Sequence, residues 1–363
     1  MLRLLGILSI FAVLSGCASY GTRAVGVSDQ TEPSRGTVTF SSGLSIPVMT
    51  KVVAGNRFFY VRLRIGDGPE TNVILDTGSN GLRAVSAVVP HSNTSGRKLV
   101  YSFESGSELQ GTLANESLSA GGRSLGTVPV QVVNALLCTK NTPNCPVAQL
   151  DPATPFVKGV DGRSSEEFGA IMGIRLFDQA GKWVPNPLVA AGFERWVVQL
   201  PIADDQPGAL ILDPSMAELK GFTRLKVDKN GTVAGCLNVR GGAEITCSST
   251  VLDSGDPHVF VFSRDVEQRV LTSGKAMALV LSDTGSADSK VIFKFLSEKV
   301  GAKGGHDVLL YRPEVVSTRP LKAAEAKPYI NSGYLPFMHY NFLFDNEERV
   351  IGLQSRTGIS TRP

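Results

Sequence analysis

The chain has 363 residues, 42% of them hydrophobic and 19% charged. That is enough apolar material for a packed core and enough length for two domains of roughly 100–200 residues each, and it excludes a disordered chain. The 36 basic residues nearly balance the 33 acidic ones, for a formal charge of +3, so nothing in the charge points to nucleic acid or another polyanion.

Residues 1–16 hold one Arg and then an apolar run to Leu14. The run is shorter than the ~20 residues of a membrane span and fits the n- and h-regions of a secretory signal. It ends in Leu14-Ser15-Gly16-Cys17, which resembles the lipobox of bacterial lipoproteins. The resemblance implies that 1–16 is removed and that Cys17 carries lipid. A thioether lipid plus an amide-linked chain gives the two signals that stable anchoring needs. Ala18 follows the cysteine where an acid would favour retention at the inner membrane, so the resemblance implies the outer membrane, facing the periplasm. Residues 17–37 are rich in Ser, Thr and Gly and read as a flexible tether. Five cysteines cannot all pair. With Cys17 set aside, Cys138, Cys145, Cys236 and Cys247 form two pairs of near neighbours. Local disulfides Cys138–Cys145 and Cys236–Cys247 are expected in an oxidising compartment, and CxxC-type zinc spacing is lacking.

From about residue 38, short alternating or apolar runs are bounded by Gly, Pro, Asn and Asp. Examples are 58–65, 72–75, 196–200, 209–212 and 291–295. With 38 glycines and 20 prolines spread along the chain, this pattern predicts an all-β protein. Helices are expected over 186–191, which follows a Pro, and over 263–273, where Ser263 could cap. No strand–GxGxxG–helix unit or P-loop occurs. One weak repeat stands out. Val73-Ile-Leu-Asp-Thr-Gly-Ser79 is echoed by Val251-Leu-Asp-Ser-Gly-Asp256. Asp76 and Asp253 lie 177 residues apart, about one domain length.

On these motifs the chain resembles the pepsin-like aspartic peptidases. The longer match, residues 58–83 (FFYVRLRIGDGPETNVILDTGSNGLR), is similar to that family's first hairpin and active-site loop, and Thr250-Val-Leu-Asp-Ser-Gly255 to its second loop. An uncharacterised bacterial pepsin/retropepsin-like group with Asp-Thr-Gly-Ser-x-Gly-Leu-Arg is closer still. The resemblance implies a bilobal fold, with an N-terminal lobe at 38–202, a C-terminal lobe at 203–363, and a central cleft. It implies Asp76 and Asp253 as a catalytic dyad supported by Thr77, Gly78, Ser254 and Gly255. It also implies a peptide or protein substrate, a monomer, and no metal or cofactor. Two carboxylates about 3 Å apart cannot both ionise cheaply and share one proton. One then takes a proton from a bridging water while the other protonates the peptide carbonyl. Glycine lets backbone approach the pair, and the Thr77 and Ser254 hydroxyls are expected to bond across the loops and hold them rigid.

Three further features follow from the resemblance. Tyr101, Phe103 and Gly106 fall where the family has its flap, with Phe103 at the usual tyrosine and Tyr101 one step away on the same face. Asp283-Thr284-Gly285-Ser286 copies the first motif but reads as a hairpin tip between 276–281 and 290–295. It leaves only 50 residues before Gly333, against 80 from Asp253 and 97 from Asp76 to the corresponding Gly173. The sequence departs from the family at Arg83, which replaces a Trp, at Asn331-Ser332 before Gly333, and at Asp256, which replaces a Thr or Ser. Asp256 is either a turn acid or a third carboxylate that raises the dyad's titration range. A serine-peptidase reading of Asp253-Ser-Gly-Asp-Pro257 lacks a suitable His among His91, His258, His306 and His339. The alternative with substance is a catalytically impaired, peptide-binding or inhibitor-type envelope lipoprotein.

Overall fold

The computed structural model describes residues 40–53, 56–149, 168–176, 184–203, 206–239, 244–263, 269–270, 276–283, 290–296, 316–321 and 327–356. All belong to one compact unit, Gly36–Pro363. The signal at 1–16, Cys17 and its tether lie outside the described residues. No helix among the described residues is long and apolar enough to cross a membrane.

The protein is all-β. Its strands, in chain order, are β1 (Leu44–Val53), β2 (Asn56–Ile65), β3 (Glu70–Asp76), β4 (Asn80–Val85), β5 (Thr94–Ser102), β6 (Ser107–Ala120), β7 (Arg123–Cys138), β8 (Ala170–Ile174), β9 (Arg195–Gln199), β10 (Gly208–Leu212), β11 (Thr223–Lys226), β12 (Val233–Val239), β13 (Glu244–Val251), β14 (Val259–Ser263), β15 (Arg269–Val270), β16 (Ala276–Ser282), β17 (Lys290–Leu296), β18 (Val316–Pro320), β19 (Tyr329–Asn331), β20 (Tyr340–Asp345) and β21 (Val350–Ser355). A 13-stranded sheet runs β11-β21-β20-β9-β10-β1-β2-β3-β8-β4-β7-β6-β5, and an 8-stranded sheet runs β15-β18-β14-β19-β13-β12-β16-β17.

The strands form where alternation demands it. Along β2, Val61, Leu63 and Ile65 are buried while Arg62 and Arg64 face solvent. The inner strands β4 and β8 are buried at every position, as covered central strands are. C-terminal strands join the larger sheet across the boundary placed at 202/203, since β20 pairs with β9 and β10 pairs with both β9 and β1. There Trp196 is fully buried and stacks on Phe344 with ring centroids 6.1 Å apart.

One arrangement occurs twice. In the first half, β8 lies between β3, to which it is parallel, and β4, to which it is antiparallel, and β4 is parallel to β7. In the second, β19 lies between β13 (parallel) and β14 (antiparallel), and β14 is parallel to β18. The registers agree residue by residue. Ile171 pairs with Ile74 and Arg83, two before and seven after Asp76. Asn331 pairs with Val251 and Phe260, two before and seven after Asp253. The sequence repeat is therefore a repeat of topology.

Both expected disulfides are present, Cys138–Cys145 and Cys236–Cys247. The second joins directly paired residues of β12 and β13. The hairpin β16–β17 pairs Ser282 with Lys290, which leaves Asp283 at the end of β16, while 284–289 lie outside the described residues. Of the two expected helices, Pro187–Ala190 (α1) forms, with the Asn186 side chain accepting from the Leu188 N–H at 2.9 Å, a standard N-cap with Pro in the first turn. Of the helix expected over 263–273, residues 264–268 and 271–273 lie outside the described residues, and the described ones correct it. Ser263 closes β14, and Arg269–Val270 pairs antiparallel with β18, so sheet pairing overrides a weak capping signal. An unexpected short helix, Leu335–His339 (α2), follows Gly333 and buries Leu335, Pro336, Phe337 and Met338.

Replacing Trp196 with Ala should cost about 3–5 kcal/mol of stability, because the void beside Phe344 cannot collapse fully. Chemical denaturation of the full chain checks this.

Candidate active site

Asp76 ends β3, and Asp253 lies two residues beyond β13. The turns that follow them interlock. The Thr77 N–H donates to Ser254 Oγ at 3.0 Å, and the Ser254 N–H donates to Thr77 Oγ1 at 2.9 Å. Each hydroxyl then donates onward to the opposite strand end, Thr77 to the Leu252 carbonyl at 2.8 Å and Ser254 to the Leu75 carbonyl at 2.7 Å. Thr77, at 1% exposure, and Ser254, at 2%, bury these four bonds away from competing water. A Cβ on Gly78 would fall on the Asp253 carboxyl group, and one on Gly255 would crowd the Asp76 carboxyl at 2.9 Å. Glycine is required at both places because each turn's backbone lies against the other turn's acid. The expected site residues are thus brought together.

Each acid is held by donors. Asp76 Oδ1 accepts the Gly78 N–H at 2.8 Å and the Ser79 N–H at 3.0 Å, while Oδ2 accepts the Ser79 hydroxyl. Asp253 Oδ1 accepts the Gly255 N–H at 2.9 Å, and its Oδ2 accepts Nδ2 of Asn331 at 2.7 Å. Asp256, the third acid, has its Oδ1 on the His258 N–H at 3.1 Å and also lines the cleft beside the dyad. It is a turn acid and a neighbouring charge at once.

These surroundings push Asp253 well above the usual carboxylate range. Its burial at the cleft floor is the main cause, followed by the charges of Asp76 and then Asp256, and the Asn331 and Gly255 bonds pull the other way. Two arginines flank the pair. Arg83 is 1% exposed and donates to the Gly81 carbonyl at 3.0 Å, with its guanidinium 3.5 Å over the Tyr101 ring. Burial lowers its pKa, and Tyr101 and Asp76 oppose that shift. Arg175 follows β8, donates to the Gly78 carbonyl at 3.2 Å and lines the cleft. Burial lowers its pKa as well, opposed by Tyr101 and Asp253. An arginine still keeps its proton at any relevant pH, so a fixed positive charge acts on each aspartate, Arg83 on Asp76 and Arg175 on Asp253.

The cleft over the dyad has a volume of about 670 Å³, within the usual range for a small-molecule or peptide site. The hairpin β5–β6 supplies one wall. Its turn is closed by the Gly106 N–H on the Phe103 carbonyl at 2.9 Å. Tyr101 and Phe103 both line the cleft and meet edge to face at 4.9 Å. Phe103 carries no hydroxyl, and the polar contact on this wall is made by Tyr101. Tyr101 is hydrogen-bonded to Ser79, and the Ser79 hydroxyl donates to Asp76. Gly106 lies off the cleft. Its φ of +89° shapes the turn, a side chain there would strike Thr142, and its carbonyl accepts the Thr139 N–H at 2.9 Å. The loop closed by Cys138–Cys145 therefore braces the hairpin tip. Glu104 at that tip bonds to Tyr329 on the opposite wall, and burial, then Glu104, raises the Tyr329 pKa.

Asp283 is outside the cleft, with Oδ1 accepting the Lys226 N–H at 3.1 Å. Among the described residues, no three His, Cys, Asp or Glu side chains converge as metal ligands would. The sequence motifs did not single out Arg175, Tyr329 or Glu104, and they marked Asn331 only as a departure. Compared with protein-family models and with curated proteins, the chain matches none of them.

Replacing Ser254 with Ala removes an acceptor for the Thr77 N–H and a donor to Leu75. Stability should fall by about 2–4 kcal/mol, from two buried groups left unpaired, and Ser254→Thr should recover most of it in denaturant titrations. A pH effect has a definite sign. Because Asp253 titrates higher in the folded chain than unfolded, its contribution to stability is complete in acid and is lost as pH rises through the folded pKa. Asp256→Ser removes one cause of the rise, so the loss of melting temperature between acid and neutral pH should shrink. An unchanged fall would show that Asp256 does not act on Asp253.

Proposed function

We propose that this chain is a pepsin-like aspartic endopeptidase of two lobes, each giving one aspartate, and a lipoprotein of the bacterial envelope anchored through Cys17. The observation that carries the reading is the reciprocal lock of Thr77 and Ser254, which sets Asp76 and Asp253 side by side at the floor of a cleft. Two such acids share a proton. A water bridging them loses its proton to the ionised carboxylate and attacks the peptide carbonyl, while the protonated partner gives its proton to the carbonyl oxygen. The backbone N–H groups of Gly78, Ser79 and Gly255 hold the carboxylates in place, so little reorganisation is needed at the moment of reaction. The β5–β6 hairpin covers the bound chain and excludes bulk water.

The full chain should cleave a denatured protein mixture somewhere between roughly pH 3 and 8. Asp76→Asn should lower the rate on the order of 10³-fold or more, and a statine-type transition-state mimic should block it. Mass spectrometry of the products reads the result. Binding without cleavage, equal in wild type and Asp76→Asn, would instead establish the peptide-binding alternative, which the third acid Asp256 favours.

A further inference from the structure

We propose that Asn331 is a positioning residue of the dyad: it replaces the hydroxyl donor that the second aspartate loop lacks and keeps Asp253 able to ionise beside Asp256. The inference rests on the dyad reading above. It comes from comparing the two halves position by position. Three residues after Asp76 stands Ser79, whose hydroxyl bonds Asp76 Oδ2. Three residues after Asp253 stands Asp256, whose carboxylate has no hydroxyl proton to give and adds a like charge. The middle strands carry the reverse exchange. Ile171, paired with Ile74 and Arg83, is apolar, and its counterpart Asn331, paired with Val251 and Phe260, reaches Asp253 Oδ2 at 2.7 Å. The donor has moved from the turn to the strand.

The amide of Asn331 cannot turn around without loss. Its Oδ1 accepts the Gly333 N–H at 2.9 Å, which aims Nδ2 at Asp253, and turning the amide of this buried side chain would break both bonds. The two donors also differ in kind. A serine hydroxyl can rotate to accept from a protonated carboxyl group, whereas an amide N–H only donates. Asp253 Oδ2 therefore always faces a proton donor, which favours its charged form. Among the described residues, the charged or titratable groups facing Asp253 are Asp76 and Asp256, which oppose ionisation, Arg175, which supports it, and Tyr329 across the cleft. Asn331 and Asp256 form an opposed pair with the dyad's working pH set between them.

The test is a thermodynamic cycle on the full chain, read by carboxyl carbon NMR of ¹³C-aspartate protein, with Asp253 assigned from its missing signal in Asp253→Asn. Asn331→Ser, too short to reach Oδ2, should raise the Asp253 midpoint by about one pH unit. Asn331→Ile should do the same beside Asp256 but raise it by much less in the Asp256→Ser background, where the turn regains a hydroxyl and the half copies the Ser79/Ile171 pattern. If Asn331→Ile does not fold with Asp256 present, the Asn331→Ser shift measured with Asp256 and with Ser at 256 closes the same cycle. Equal shifts in both backgrounds, or no shift, overturn the proposal. The acid limb of any pH–rate profile should move with the midpoint. Absence of cleavage in every protein would refute the peptidase reading while leaving the titration result to decide the role of Asn331.

Discussion

Two buried hydroxyls hold this structure's two halves in register at the point that matters most. Thr77 and Ser254 each accept from the other's turn and donate to the other's strand end, so neither turn can shift without breaking bonds on both sides. The turns carry the two aspartates, and the glycines after Thr77 and Ser254 bring backbone so close that any side chain would strike an acid. Everything else about the site follows from this proximity: the raised pKa of Asp253, the need for fixed donors, and the cleft that opens above.

Bringing like charges together inside a protein is unfavourable, and the surroundings of the pair answer that problem. Backbone N–H groups meet the inner oxygens, Ser79 and Asn331 meet the outer ones, and Arg83 and Arg175 add fixed positive charge nearby. Asp256 works in the opposite direction. The balance leaves Asp253 reluctant to ionise. The wall above the acids is braced as well, with the tip of β5–β6 bound to the disulfide loop on one side and to Tyr329 on the other.

Much of the fold could be read along the chain, because alternation in strands such as β2 is a local property of two-faced sheets. The helix at Pro187–Ala190 was legible for the same reason, a proline standing next to its start in sequence. The helix expected over 263–273 was not, since the pairing of β15 with β18 depends on a strand some fifty residues away. Likewise Tyr101 and Phe103 alternate along one hairpin, and only the fold shows Tyr101 lying under the Arg83 guanidinium and bonded to Ser79.

By itself the sequence determined the two acid turns, the residues able to lock them, the glycines that admit close approach and the two short disulfide loops, each a pattern contained within a few consecutive residues. The tertiary structure alone decided that Arg175 stands beside the acids and that Asn331 supplies what Asp256 cannot. Asn331 and Asp253 are 78 residues apart. Their contact exists because β19 enters between β13 and β14 in one register, and that register is set by the burial of whole strands rather than by any signal near either residue.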